Sequence, residues 1–375
     1  MHKTILFEAR AGGYWNYRVP GILSTPLGTV LATAEARRGR GGDWDGNDVL
    51  LCRSLDGGRT WEPSQVVVGC EQYGPGPVSN FVMVAAGDTV HALYCHNYAR
   101  VFYTCSTNDG ETFSDPVEIT AAMEPFREVY PWRVIATGPG HGIQLERGLH
   151  CGRLIVPVWM SDGSGTEFGP GKLGHRPSSV ASIYSDDGGR TWQCGAFVAH
   201  TGERVVNPSE TLAVELDDGR ILFNLRSESR QNRRLVSVSP DGTHDWSTPR
   251  FDDALLEPVC MASLLRLRQR AATGESVYLF ANPDNLENEL TPAGGNLAHD
   301  RKRLTVKMSV DECRTWPYAR VIEPGPSGYS DLAETPDGAI LCIYECGMIE
   351  RMTDTRSLTV ARFDLDWVMG ADGKT

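Results

Sequence analysis

The octapeptide Ser54-Leu55-Asp56-Gly57-Gly58-Arg59-Thr60-Trp61 returns almost unchanged as Ser185-Asp186-Asp187-Gly188-Gly189-Arg190-Thr191-Trp192. Looser copies of the pattern S-x-D-x-G-x-T-W stand at 106–113, with Asn108 in the Asp place, at 239–246, with Thr243 in the Gly place, and at 309–316, with Cys313 in the Gly place. Five copies in order along one chain mean one supersecondary unit built repeatedly, at intervals of roughly 50 to 80 residues. Each copy suits a tight turn. Ser and Asp side chains bond backbone N–H groups, Gly takes up unusual backbone angles, and the closing aromatic anchors the turn on its own sheet.

The segments between the boxes support a β reading. The clear apolar runs, at 29–32, 89–94, 153–159, 220–225 and 339–344, are short and bounded by turns, several following Asp-Gly as at Asp218-Gly219 and Asp337-Gly338. No amphipathic helical pattern of a dozen residues stands out. Length alone suggests two or three domains, but a propeller is a single ring however long it is. The expectation is an all-β, six-bladed β-propeller, one domain over residues 1–375, with an unmarked blade combining both chain ends.

A net charge of −12 and the lack of any Lys/Arg-rich run argue against nucleic acid as a partner. Any anionic ligand must therefore meet a local basic cluster. The ten cysteines form no C-x-x-C pair and no zinc-type spacing, and they read as buried free thiols. No stretch is long and apolar enough to span a membrane, and the first residues lack a signal-peptide core. The expected location is cytoplasmic, or secreted or periplasmic if a leader has been removed.

Near the N-terminus stands Tyr17-Arg18-Val19-Pro20-Gly21. With the Asp boxes, this stretch resembles the sialidase (neuraminidase) family, whose first catalytic arginine lies in an R-I-P or R-V-P strand, and the resemblance runs along essentially the whole chain. It implies further positions in order. Arg37 precedes a glycine-rich loop where Asp43 matches the acid/base aspartate, with Asp45 as runner-up and Asp48 orienting neighbours. Glu210 matches a glutamate ahead of a strand and Arg226 an arginine at the end of the next, while Glu215 reads as an outward strand position. Arg301 matches the third triad arginine, with Arg303 as rival. Tyr329 matches the nucleophile, and Glu345 the carboxylate that fixes Arg18.

That set has a chemical logic. Sialic acid carries a carboxylate on its anomeric carbon, and guanidinium forks hold a planar anion through paired charge-assisted hydrogen bonds. Arg18, Arg226 and Arg301 supply three such forks, and Glu345 offsets part of their mutual repulsion. A neutral phenol can approach a centre already flanked by negative charge, but with an ordinary pKa near ~10 it needs a base, here Glu210. Sialidases are a recognised exception to the two-carboxylate glycosidase scheme. The resemblance thus implies a retaining exo-α-sialidase acting on sialylated glycans without metal or organic cofactor. The alternatives are a hydrolase of a related 2-keto acid sugar such as deaminated sialic acid, a transferase to an acceptor sugar, and a non-catalytic glycan-binding propeller. Ser79, Asn80, Phe81, Tyr130, Trp132 and Trp159 are candidates for lining pockets around the rest of the sugar. His141, in Gly138-Pro139-Gly140-His141-Gly142, has no assigned role.

Overall fold

Each box joins the third and fourth strands of an antiparallel sheet. In the first sheet the strands are Asn16–Ser24, Val30–Arg37, Asn47–Ser54 and Gln65–Val68, paired in that order, and the box begins at Ser54. Ser54 Oγ accepts the Gly58 N–H at 2.8 Å and donates to Asp56 Oδ1 at 2.9 Å, while Asp56 also takes the N–H (2.8 Å) and hydroxyl (2.6 Å) of Thr60. The same net is closed at Ser185/Asp187/Thr191 and at Ser309/Asp311/Thr315. Asn108 keeps it by donating its amide to Thr112 Oγ1 at 2.9 Å.

Three details depart from the expected box. At 239–246 the hydrogen bonds close over fewer residues: the N–H of Gly242 (φ 78) donates to Ser239 Oγ at 2.9 Å, and Thr243, two places after Asp241, plays the Thr part. The box glycine also does more than bend the chain. A Cβ on Gly110 would stand 2.5 Å from Leu31 of the neighbouring sheet, so its absence sets how closely the two sheets approach. Finally, Trp192 reaches across to Tyr103 of the adjacent sheet, ring centroids 5.9 Å apart, whereas Trp246 stays on Phe223 of its own sheet.

The computed structural model describes residues 1–169, 172–290 and 299–370. Their strands form five hydrogen-bonded sheets in a propeller-like arrangement. Three of the others repeat the first: one built on Val78–Ala86, one on Leu154–Ser161 and one on Thr211–Glu215. The last has seven strands and runs through the long strand Tyr318–Glu334. That strand pairs with Lys302–Ser309 as far as Pro326 and with Ile340–Met348 from Ser327 onward. The sheet ends with His2–Glu8 against Thr355–Phe363, so the two chain ends meet as expected.

The core lies between sheets. One cluster joins Ile22, Ala32 and Leu50 of the first sheet to Leu341, Ile343 and Val360 of the last. Because both faces are covered, Val30–Arg37 is buried at all eight positions and shows no polar/apolar alternation. The cysteines are all free thiols, six of them buried. No described helix is long and apolar enough to cross a membrane.

The innermost strands meet around Asp331, which is fully buried. Its carboxylate accepts the Ile22 N–H (2.9 Å) and Ser263 hydroxyl (3.0 Å), and His141 Nδ1 lies 2.8 Å away. His141 therefore belongs to an axial knot. Burial alone would lower its imidazole pKa, but Asp331 holds it above the usual value. Gly140 and His141 pair in parallel with Val82 and Met83, which explains the glycine-rich motif around them.

Candidate active site

A cavity of about 400 Å³ opens at one mouth of the ring, lined among others by Arg18, Arg37, Asp43, Glu210, Arg226, Arg301 and Tyr329. Residues from six stretches of sequence thus meet at one place. Of the eight residues singled out from the sequence, seven line this cavity, and Glu345 lies directly behind Arg18.

Arg18 is the third residue of its strand and is buried. Its Nε donates to Glu345 Oε1 at 2.9 Å and its Nη2 to Glu345 Oε2 at 3.3 Å. Glu345 also accepts the backbone N–H groups of Val19 (3.2 Å) and Tyr329 (3.1 Å), so one carboxylate ties the first arginine to the tyrosine strand. Gly328 makes room for it, since a Cβ there would meet Glu345 Oε2 at 2.2 Å. Burial alone would raise the Glu345 pKa, but Arg18 and Arg301 turn the net shift downward, and Glu345 is an anion.

Tyr329 sits at the centre. The guanidinium carbons of Arg18 and Arg301 lie 5.1 and 5.2 Å from its ring centroid, within cation–π range. Its hydroxyl donates to Glu210 Oε1 and accepts from Arg226 Nη1 at 2.8 Å, and Arg226 Nη1 also bonds Glu210 Oε2. Burial drives the phenol pKa above its usual value, and the nearby arginines only partly offset this. The resting phenol is neutral, with a carboxylate in contact to take its proton.

Asp43 lies on the loop after Val30–Arg37, with about a third (33%) of its side chain open. Arg37 Nη1 donates to Asp43 Oδ1 at 2.7 Å, while Arg37 Nε and Nη2 are held by Glu35 at 3.1 and 2.7 Å. Arg18 Nη1 is 3.9 Å from the same Asp43 oxygen. Burial pushes the Asp43 pKa up, but Arg37 and Arg18 outweigh it, so the carboxyl lies well below the usual range. Arg301 donates from Nη2 to the Val259 carbonyl at 2.8 Å.

The rival candidates lie elsewhere. Asp45 bonds the N–H groups of Arg40 and Gly42 within its loop, and Asp48 orients Tyr14, Arg38 and Cys70. Arg303 is exposed, at a left-handed (φ 62) irregularity in the strand Lys302–Ser309. Glu215 is not an outward position. It is buried and accepts the N–H groups of Glu146 and Arg147, both at 3.0 Å, because the next sheet covers the end of its strand.

Of the pocket candidates, Asn80 and Trp159 reach the cavity. Trp132 is in the core and Tyr130 bonds the Pro177 carbonyl. Tyr98, Phe168, His175, Arg176 and Glu228 also line the cavity without having been singled out from sequence. Tyr98, Trp159 and Phe168 pack around His175, with ring centroids at 4.7, 5.1 and 4.5 Å. Burial pushes the His175 imidazole down to about 4, which leaves this wall apolar and uncharged at neutral pH. Arg176 and Glu228 pair on the rim at 2.8 Å. Among the described residues no cluster of three or more His, Cys, Asp or Glu side chains is placed to hold a metal.

The BNR repeat-like domain family matches residues 28–342. A sialidase of Micromonospora viridifaciens is 32% identical over 96% of the chain, and one of Bacteroides fragilis is 27% identical over 88%. The chain spans 53% and 60% of those two proteins. Sialidase-3 of Mus musculus is 27% identical, covering 92% of this chain and 91% of its own. Among solved structures, the Hadza microbial sialidase Hz136 superposes with a TM-score of 0.78 at 24% identity, covering 98% of this chain and 69% of that one. An intramolecular trans-sialidase from Ruminococcus gnavus gives 0.75 at 17% identity, over 97% and 98% of the two chains. The chain belongs to the sialidase family of BNR-repeat propellers.

Proposed function

We propose that this protein is a retaining exo-α-sialidase that releases terminal sialic acid from glycoconjugates. The observation that carries the reading is the Tyr329 hydroxyl donating to Glu210 between the guanidiniums of Arg18, Arg226 and Arg301. A purely glycan-binding propeller has no use for a phenol–carboxylate pair at the floor of a cationic cavity.

In the proposed reaction the three arginines bind the substrate carboxylate. Entry of that anion offsets the field of Arg18 on Asp43, so the Asp43 pKa rises from its depressed resting value and the group can carry a proton. Asp43 gives this proton to the glycosidic oxygen as the bond from that oxygen to the anomeric carbon breaks. Tyr329 Oη bonds to the anomeric carbon and its proton passes to Glu210. In the second half, Asp43 takes a proton from water as the hydroxide oxygen bonds to the anomeric carbon. The tyrosyl bond breaks and Glu210 returns the proton to the phenolate. Two displacements at one carbon retain the anomeric configuration.

The ring is read as six-bladed, the seven-stranded sheet counting as two blades that share Tyr318–Glu334, and residues 1–375 as one catalytic domain. The change of pairing partner between Pro326 and Ser327 supports that count. The test of function is release of a fluorescent aglycone from α-linked N-acetylneuraminic acid, with the anomer of the first-formed sugar followed by NMR. Release of the α-anomer is expected. No release, or release first of the β-anomer, overturns the proposal.

A further inference from the structure

Beneath Arg226 and Arg301 lies an ion pair that does not line the cavity. Arg234, on the strand Arg233–Ser239, and Glu257 are both fully buried and meet at 2.6 Å. Arg234 also donates to Asn224 Oδ1 (2.7 Å), the Asn224 carbonyl (3.2 Å) and the Cys260 carbonyl (3.1 Å). Glu257 Oε1 accepts the Cys260 N–H at 2.8 Å. The pair therefore grips residues 257–260 from both sides.

Inside that grip, Val259 takes φ 63, a left-handed conformation that a β-branched side chain strongly disfavours. Such a residue persists where its surroundings over-determine it. The outcome is that its carbonyl points at Arg301 and accepts Nη2 at 2.8 Å. Arg18 and Arg226 are each steadied by a bonded carboxylate, Glu345 and Glu210, whereas this braced peptide carbonyl steadies Arg301. A carbonyl leaves more of the cation's charge for a ligand than a carboxylate does.

We propose that Arg234 and Glu257 are positioning residues, which through Val259 hold the Arg301 guanidinium in the geometry that captures an anionic ligand. The inference rests on the carboxylate-binding reading above. A buried ion pair can often be replaced by apolar side chains of similar volume without loss of stability, so the double variant Arg234→Met/Glu257→Met separates positioning from folding.

Binding of the methyl α-glycoside of N-acetylneuraminic acid is compared with that of its carboxyl-reduced analogue, by calorimetry, alongside thermal melting. The folded double variant is expected to lose about tenfold in affinity for the carboxylated ligand and nothing for the reduced one, in line with one weakened charged hydrogen bond. An unchanged ratio between the two ligands overturns the inference. Should the double variant not fold, Glu257→Gln, which keeps the shape and an acceptor for Cys260, is read by the same ratio: a reduced preference supports the proposal and a wild-type preference overturns it. A wild-type protein without preference for the carboxylated ligand would instead overturn the sialoside reading itself.

Discussion

Tyr329 touches two groups with opposite effects on its proton, and the balance defines its role. Arg226 stabilises the phenolate, while burial and Glu210 favour the neutral phenol. Tyr329→Phe removes the proposed nucleophile but keeps the ring between Arg18 and Arg301. Turnover should fall by about 10²–10⁴-fold while free sialic acid binds within about twofold, checked by steady-state kinetics and calorimetry. Asp43 offers a sharper diagnostic. If it donates the leaving-group proton, Asp43→Asn should slow alkyl and sugar aglycones far more than nitrophenyl ones, which leave without protonation. Equal loss on both would refute the acid assignment. Glu35 illustrates what was missed at this scale. It lies two residues from Arg37 on one strand face, a charged pair within the apolar run Ala34-Glu35-Ala36-Arg37, and that i, i+2 spacing was its available signal.

At the scale of elements, the boxes and the site make separate demands. A box closes a turn far from the chemistry, so Asp187→Ala should lower stability by about 1–2 kcal/mol through lost turn hydrogen bonds, with KM unchanged. Gly110→Ala should cost more, because the added methyl meets Leu31 at 2.5 Å and pushes two sheets apart. Gly328→Ala is the converse case. Its Cβ would displace Glu345 from Arg18, so activity should collapse while melting shifts by only a few degrees, measured by fluorimetry and aglycone release. The boxes were legible because their turn chemistry is local and repeats. Of the aromatic wall only Trp159 was: Tyr98 belongs to another sheet, and no spacing marks Phe168 and His175 on the loop that follows Leu154–Ser161.

For the whole molecule, protonation couples the cavity to the stability of the ring. The His175 pKa is lowered from 6.5 to about 4, so the unfolded chain takes up its proton first as the pH falls. Stability from this neutral imidazole is complete above pH 6.5 and lost progressively down to about 4. Asp43 and Glu345 have lowered pKa values, so their stabilisation is present above about pH 4 and disappears as the pH falls toward their folded values. Urea melts across pH 3 to 8 should therefore show two falling limbs on acidification, and His175→Gln should make only the upper one shallower, since burial lowers His91 to about 4 as well and it feeds the same limb. The pairing of His2–Glu8 with Thr355–Phe363 ties both chain ends to the sheet that carries Glu345 and Tyr329. Removing residues 2–8 should lower the melting temperature and broaden the transition, since an inner strand of the sheet would become an edge.

From the amino-acid order alone came the recurring turn, the all-β propeller architecture and a short set of charged and phenolic residues. These rest on local turn chemistry and on motifs that can be matched in order. Only the packing of the sheets decided that Arg18, Arg226 and Arg301 surround one phenol, that Glu215 is buried outside their cavity, and that Asp331 and His141 join the innermost strands. The reason is distance along the chain. Contacts between residues hundreds of positions apart, such as Arg18 with Glu345, are set by how sheets pack, and no local pattern encodes that packing.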